Sequence, residues 1–199
     1  MIIDNRTELI ACPYCFKSES SLWATENGFT AVKCSECGLV YVNPRPVEEL
    51  IGNAVETGIH SNVGHNRTAI ARRERSKKKR YKKILSSIFR DVWQNHRKIS
   101  WLDVGAGYGE ILQAICLLAE PGSRIEGIEP MKPKVKKARE LGLNINNKYL
   151  HDILHDIKDK YDYISLIHVY SHIPDFRKYL KEMKNILEIT ASCVLKPVI

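Results

Sequence analysis

The sequence predicts an α/β protein: a doubly wound parallel sheet, Rossmann-like, preceded by a small β-rich cysteine unit and a linker helix. Two Cys-x2-Cys pairs lie within residues 11–43, and a basic amphipathic segment follows them. From residue 99 onward, apolar strand-like runs alternate with helical stretches across short loops. A chain of 199 residues can bury one sizeable core and support a small satellite domain.

The cysteine pairs have the spacing of a four-cysteine zinc site. Cys12 and Cys15 form one pair, and Cys34 and Cys37 form the other after eighteen intervening residues. Two such turns aim four thiolates at one ion, and the closed shell predicts structural Zn²⁺ in a zinc-ribbon-like domain over residues 1–45. Gly38 suits the left-handed backbone of such a turn. Redox dithiols are disfavoured because an exchange site needs one pair, and cysteines without metal are the other alternative.

Residues 46–98 are predicted to be a linker with a basic helix. The prolines of Asn43-Pro44-Arg45-Pro46 favour extended backbone and place a domain boundary near Pro46. Apolar residues at three- and four-residue spacing predict a helix from about Asn66 to Gln94. Between Arg67 and Lys83 lie ten basic residues and one acidic residue, against a net charge of +8 for the whole chain. We interpret this run as a solvated face, with contact to an anionic substrate or to nucleic acid as alternatives.

The third predicted domain, residues 99–199, alternates strands and helices. The predicted strands are 99–104, 124–129, 144–147, 161–169 and a final one within 192–199. The predicted helices are 110–118, 132–140 and 175–187, and the alternation favours a parallel sheet with helices on both faces.

A glycine loop follows the first of these strands. Where the strand ends and a helix begins, every second residue is an acid or a glycine: Asp103, Gly105, Gly107 and Gly109. Because glycine has no side chain, this loop would expose its backbone to a ligand. Glu129 ends the next strand, where a carboxylate can accept both ribose hydroxyls of an adenosine. The glycine spacing departs from a dinucleotide fingerprint, and the acid before the first glycine suits a cationic amino-acid group. A tight turn without a ligand is the alternative.

These motifs carry a family resemblance. LDVGAGYG, IEGIEP and YDYISLIHVYSHIPD, the last followed by a helix ending in NIL, resemble the class I S-adenosylmethionine-dependent methyltransferase family. CPYC and CSECGLVYVNPRP resemble the zinc-binding segment that precedes this domain in a bacterial and archaeal branch, which is associated with methylation of sugars, polysaccharides and other small molecules. The resemblance covers about residues 11–45 and 99–187.

The resemblance implies roles for individual residues. Asp103 would face the ammonium of the cofactor's methionine part, with the glycine-loop backbone around it, and Glu129 would hold the ribose. His172 is the candidate base, since histidine ordinarily titrates near ~6.5; where the family commonly has Glu-His, this chain has Ser171-His172. The cofactor-binding residues implied are Asp103, Gly105, Ala106, Gly107, Gly109, Glu129, Pro130, Met131, Asp152 and His168.

The leading hypothesis is therefore a methyltransferase that uses S-adenosylmethionine to methylate a small molecule such as a sugar or nucleotide-sugar. One alternative is a nucleic-acid methyltransferase that holds RNA with the ribbon and basic helix; another is a non-catalytic cofactor- or partner-binding remnant. The absence of long apolar runs and of a secretory signal predicts a cytoplasmic protein with no membrane partner. The ending ILEITASCVLKPVI replaces the family's usual continuation, so we expect a domain that is incomplete at its C-terminus.

Overall fold

The computed structural model describes residues 6–57, 70–169 and 172–196. Its N-terminal part is a three-stranded antiparallel sheet of β2 (Ser20–Glu26), β3 (Phe29–Cys34) and β4 (Val40–Val42). Asn27 and Gly28, both with positive φ, form the two-residue turn between β2 and β3, as Asn-Gly favours. Two short strands, β1 (Thr7–Glu8) and β5 (Arg45–Pro46), pair antiparallel beside it. The predicted β-rich unit is confirmed.

Three helices connect this unit to the main sheet: α1 (Glu48–Thr57), α2 (Ile70–Ile88) and α3 (Arg90–Gln94). The sequence predicted a single helix over 66–94, whose first four residues lie outside the described part. The helix breaks at Phe89, whose backbone leaves helical geometry and whose ring is buried against Trp101 and Tyr163. The Trp93 indole then donates to the Leu85 carbonyl oxygen at 2.8 Å. None of the described helices is long and apolar enough to span a membrane.

The main sheet has five parallel strands in the order β10-β9-β6-β7-β8. The chain builds β6, β7 and β8 outward in one direction and then returns to place β9 on the other side of β6. The carboxyl ends of β6 and β9 therefore form a topological switch point, where ligands bind in doubly wound sheets. The strands are β6 (Ser100–Val104), β7 (Arg124–Ile128), β8 (Ile145–Asn146), β9 (Tyr161–Ile167) and β10 (Leu187–Lys196).

Helices cover both faces of this sheet. One face packs against α2, α4 (Glu110–Cys116) and α5 (Lys132–Glu140), the other against α6 (Leu150–Ile153) and α7 (Phe176–Ile186). The short α6 was not predicted. The doubly wound α/β prediction is confirmed, and the boundaries of the three predicted domains stay predictions. The buried core residues include Leu85, Trp101, Leu102, Leu112, Ile115, Ile145, Leu150, Ile164, Leu166 and Met183.

Candidate cofactor site and metal centre

The four cysteines of the N-terminal sheet converge on one point. Their Sγ atoms all lie within 4.8 Å of one another, and the Cys12–Cys37 and Cys15–Cys34 pairs are each 3.5 Å apart. Four thiolates around Zn²⁺ at ~2.3 Å would stand ~3.8 Å from one another. No other group of three or more potential metal-ligating side chains occurs in the described part of the chain. The donor set and its spacing fit a tetrahedral zinc ion.

Two similar turns build this cluster. The Phe16 N–H donates to the Cys12 carbonyl oxygen at 2.9 Å, and the Gly38 N–H donates to the Cys34 carbonyl oxygen at 3.1 Å. Phe16 and Gly38 both have positive φ, at 63° and 73°. The left-handed conformation expected of Gly38 is confirmed. The Cys37 backbone N–H contributes most to lowering the pKa of Cys34, to about 7, whereas burial and the neighbouring thiols raise the pKa of Cys15 and Cys37. Cys34 is therefore the one of these three that most readily forms the thiolate that a metal requires.

The glycine loop lies at the switch point, between β6 and α4. The N–H groups of Gly105 and Ala106 donate to the Ile128 carbonyl oxygen at 2.8 and 3.0 Å, so these donors are already engaged. A Cβ on Gly105 would collide with the side chain of Val169, which follows β9. At Gly107 a Cβ would meet only the Glu110 carboxylate, at 3.7 Å. Space for a ligand against the backbone of this loop is therefore at Gly107.

Asp103 is the most unusual polar group of this site. It is 1% exposed, and its Oδ1 accepts a hydrogen bond from the Ser165 hydroxyl at 2.5 Å. The Trp101 indole donates to the same hydroxyl oxygen at 2.9 Å, which fixes its direction. Among the described residues, nothing donates to Oδ2. Burial raises the pKa of Asp103 to about 7, and the Glu110 and Glu129 carboxylates add to the rise.

A buried carboxylate oxygen without a donor suits a cationic ligand. An unsatisfied buried acceptor costs roughly 1–3 kcal/mol, and a donated N–H from a ligand ammonium would remove that cost. The predicted partner of Asp103, the ammonium of an amino-acid group, has this chemistry. The residues present therefore fit the methionine part of S-adenosylmethionine.

Glu129 follows β7 next to the glycine loop. Its Oε2 accepts from the Gly107 N–H at 2.9 Å, and its Oε1 accepts from the Met131 N–H at 3.0 Å. Lys134 of α5 stands 3.8 Å from Oε1. The carboxylate is buried and held between two backbone segments, so it is pre-positioned for a ligand at this edge. Pro130 and Met131 are both partly buried beside it.

Asp152 follows β8, the third strand of the main sheet along the chain. It is an exposed residue of α6 and its Oδ2 accepts from the Tyr149 N–H at 2.8 Å, which caps the helix. His151 lies 3.2 Å from its other carboxylate oxygen. A local capping contact thus accounts for this carboxylate, and its predicted contact with the adenine stays a prediction.

The two predicted histidines lie on the loop after β9. His168 follows the strand directly, with φ of 61°, and is exposed. His172 is also exposed, and its N–H donates to the Val169 carbonyl oxygen at 2.8 Å. Ser171, which stands where the family commonly has an acid, lies outside the described residues. The loop is anchored to the glycine loop through Val169 and Gly105, so it belongs to the switch point.

Three residues of the site could not be anticipated from the sequence. The Asn147 side chain donates to the backbone carbonyl oxygens of Glu129 and Pro130, at 3.0 and 2.6 Å. Ser165 holds Asp103, and Lys77 of the basic helix lies 3.5 Å from Glu110 at the start of α4. Each contact joins residues far apart in the sequence, so local spacing does not reveal it.

A cavity lies along α5 and reaches Asn147. Its volume is about 500 Å³. We assign no cofactor to it, because its walls contain neither Asp103 nor Glu129. Its lining residues are Lys132, Val135, Lys136, Arg139, Glu140 and Asn147.

Comparison with known proteins identifies the kind of domain. The family described as Methyltransferase domain matches residues 71–196, more than half of the chain. Among curated proteins, none matches the sequence.

Solved structures show the same fold. The plantazolicin methyltransferase BpumL in complex with SAH is similar with a TM-score of 0.55 and 16% identity, over 75% of this chain and 57% of that chain. The PH0226 protein from Pyrococcus horikoshii OT3 is similar with a TM-score of 0.50 and 18% identity, over 64% of this chain and 59% of that chain. The chain thus spans less than two thirds of the length of either structure.

Proposed function

The chain belongs to the family of methyltransferase domains that its residues 71–196 match, and we propose that it transfers the methyl group of S-adenosylmethionine to a small-molecule acceptor. The observation that carries this proposal is the buried Asp103 carboxylate beside the glycine loop, with one oxygen lacking a donor among the described residues. Its position at the switch point, next to Glu129, suits a ligand with an ammonium at one end and a ribose at the other.

Each side chain has a role in this proposal. When bound, S-adenosylmethionine supplies an electrophilic methyl group on its sulfonium. Asp103 binds the ammonium, the backbone around Gly107 contacts the methionine part, and Glu129 accepts hydrogen bonds from the ribose hydroxyls. Alignment of acceptor and cofactor is the main task of such a site. Gly105, Ala106 and Gly109 shape the loop. Pro130 and Met131 flank the adenine ring, and Asp152 contacts the edge of that ring. His168 lies beside the acceptor.

His172 is the proposed general base. It lies on the loop after β9, which reaches the glycine loop through Val169. A hydroxyl or activated carbon acceptor must lose a proton as the methyl group arrives, and a histidine at this edge can take it. We place the acceptor between this loop and the glycine loop.

We further propose that Cys12, Cys15, Cys34 and Cys37 bind one structural Zn²⁺. The support is the convergence of four Sγ atoms within 4.8 Å, none of them in a disulfide. Four free thiols this close to one another are typical of proteins in a reducing compartment, so we expect the protein in the cytoplasm.

The acceptor class is a sugar or nucleotide-sugar in our proposal, as the resemblance of the zinc-binding segment suggests. One observation favours nucleic acid as a second candidate: on α2 the side chains of Lys77, Lys79, Arg80, Lys82 and Lys83 are all exposed. A salt-dependent RNA gel shift that disappears when residues 77–80 are neutralised would favour that candidate. Cofactor binding without methyl transfer to any acceptor would favour a non-catalytic remnant.

We expect Glu129→Ala to weaken S-adenosylmethionine binding at least ~150-fold. Loss of the carboxylate removes the acceptor for two ribose hydroxyls, each bond to a charged group contributing ~1.5 kcal/mol or more. Isothermal titration of the parent and the variant measures the effect. Glu140→Ala, an exposed acid at the end of α5, is the matched control. Absence of binding by the parent would contradict the proposed function.

We expect His172→Gln to lower the methyl-transfer rate at least ~100-fold while cofactor affinity stays unchanged, because general-base catalysis contributes that much. Release of S-adenosylhomocysteine from an acceptor pool of sugars and nucleotide-sugars measures the rate. His151→Gln, on the exposed surface of α6, should behave as the parent. Equal rates for His172→Gln and the parent would remove His172 from the mechanism.

A further inference from the structure

Arg45 of β5 connects the short β1–β5 pair to the loop that carries His172. Its Nη1 donates to the Pro174 carbonyl oxygen at 2.8 Å, and its Nε donates to Glu8 Oε1 at 2.9 Å. Its Nη2 lies 3.3 Å from Glu48, the first residue of α1. The side chain is only 16% exposed. One guanidinium thus joins β1, the start of α1 and the loop after β9.

The other end of α1 is attached to the opposite side of the sheet. Glu56 Oε1 accepts a hydrogen bond from the Tyr149 hydroxyl at 2.8 Å. Tyr149 lies beyond the carboxyl end of β8. Burial and the neighbouring Glu56 raise the pKa of Tyr149 to about 12, so the phenol keeps its proton and donates.

The length of α1 matches the distance between these two attachment points. Pro174 follows β9 and Tyr149 follows β8, and β6 and β7 lie between them. Three strand intervals span ~14 Å, and the ten residues of α1 span ~15 Å. The helix is therefore long enough to cross the carboxyl ends of β6 and β7, where Asp103 and Glu129 lie.

No residue of α1 is fully buried. Its apolar side chains are only partly buried, and none belongs to the core of the main sheet, so α1 does not pack into that core. Its two acidic residues in the first turn suit the helix dipole, so α1 is stabilised locally. The partly buried apolar residues are Leu50, Ile51, Ala54 and Val55.

We propose that the segment Arg45–Thr57 is a strap across the cofactor cleft and that Arg45 and Glu56 are its positioning residues. The strap retains the bound cofactor and excludes water from the edge of the sheet. Because Arg45 also holds Pro174, it links the β1–β5 pair to the loop of the proposed base. This inference depends on the proposed cofactor site.

The first test is the release rate of S-adenosylhomocysteine, measured by a rapid chase of tritiated ligand. Glu56→Ala and Tyr149→Phe should each accelerate release about tenfold, the effect of losing one hydrogen bond to a charged group. The double variant should release no faster than either single one, because both remove the same bond. Glu49→Ala on the same helix and Tyr14→Phe on the exposed surface should match the parent.

The second test is hydrogen exchange of the amides of residues 48–57. S-adenosylhomocysteine should slow this exchange in the parent and in Arg97→Met, whose guanidinium is exposed, but not in Arg45→Met. Arg45→Lys, which can still reach one carbonyl, should restore part of the protection. Ligand binding with unchanged release and unchanged protection would overturn the strap alone. Absence of ligand binding by the parent would overturn the proposed function and the strap with it.

Discussion

Replacing Asp103 with asparagine is expected to weaken S-adenosylmethionine binding about a thousandfold at pH 8. The substitution keeps the size of the side chain, and its amide oxygen can still accept from Ser165. It removes the negative charge that the ligand ammonium would meet in a site that is 1% exposed. Breaking a buried ion pair by removing one partner costs roughly 3–5 kcal/mol. Isothermal titration of the parent and of Asp103→Asn measures the loss.

The pH dependence of binding gives an independent check. The pKa of Asp103 in the unliganded protein is about 7, because the carboxyl is buried. A cationic ligand binds the ionised form, so binding below pH 7 must release a proton. Affinity should rise about tenfold per pH unit up to pH 7 and level off above it. Titration at pH 6 in two buffers of different ionisation enthalpy counts the protons released.

The same substitution should stabilise the unliganded protein at alkaline pH. The ordinary pKa of an aspartate, 3.8, is raised to about 7 in the fold. The folded state therefore holds a proton between pH 4 and 7 that the unfolded state has lost, and stability falls as pH rises through this window. Asp103→Asn removes this cost, on the order of 4 kcal/mol above pH 7. Urea unfolding at pH 5 and pH 8 measures it.

A matched substitution separates these effects from a general change in charge. Asp91→Asn replaces an exposed acid in the first turn of α3 and should leave both affinity and pH dependence unchanged. If Asp103→Asn bound the cofactor as the parent does, another group would have to bind the ammonium. The buried Asp103 carboxylate would then no longer support the proposed function.

The parts of the fold that the sequence predicted well depend on local patterns. The two cysteine pairs, the glycine loop and the strand ending at Glu129 each lie within a few neighbouring residues, so spacing alone reveals them. The helix over 132–140 was predicted to the residue, because Pro133 marks its first turn. The apolar run that forms β9 was equally evident, as a short buried strand is.

The contacts that position the site residues are long-range, and no local sequence pattern predicts them. Ser165 and Asp103 are 62 positions apart, and Tyr149 and Glu56 are 93 positions apart. The break at Phe89 also depends on distant partners, since its ring is buried against Trp101 and Tyr163. Helical periodicity continues through residue 89, so the sequence predicted a single helix where tertiary packing makes two.

Helix α1 was missed for a different reason. Its sequence, EELIGNAVET, is short and contains a central glycine, which weakens a helix. Its four apolar residues recur at four-residue spacing over less than two turns, which is too short a run to predict a helix from the sequence.

We expect Cys34→Ser to abolish metal binding and to unfold the N-terminal sheet. Among the described residues 6–57, only Cys12 and Cys34 are fully buried, while every residue of β2 is exposed. This sheet therefore has no apolar core other than its cysteine cluster. Binding of structural zinc contributes ~10–16 kcal/mol in small metal domains, far more than three short strands can supply.

Zinc content and hydrogen exchange together decide this prediction. The parent should contain one zinc ion per chain, and Cys34→Ser should contain none. The amides of residues 20–42 should exchange rapidly in the variant, while those of β6 and β9 stay protected, because the main sheet has its own core. Cys116→Ser, on the exposed end of α4, should retain both metal and protection. Persistent protection of residues 20–42 without metal would mean that the strands and not the ion hold this unit together, and the cysteine cluster would then need another explanation.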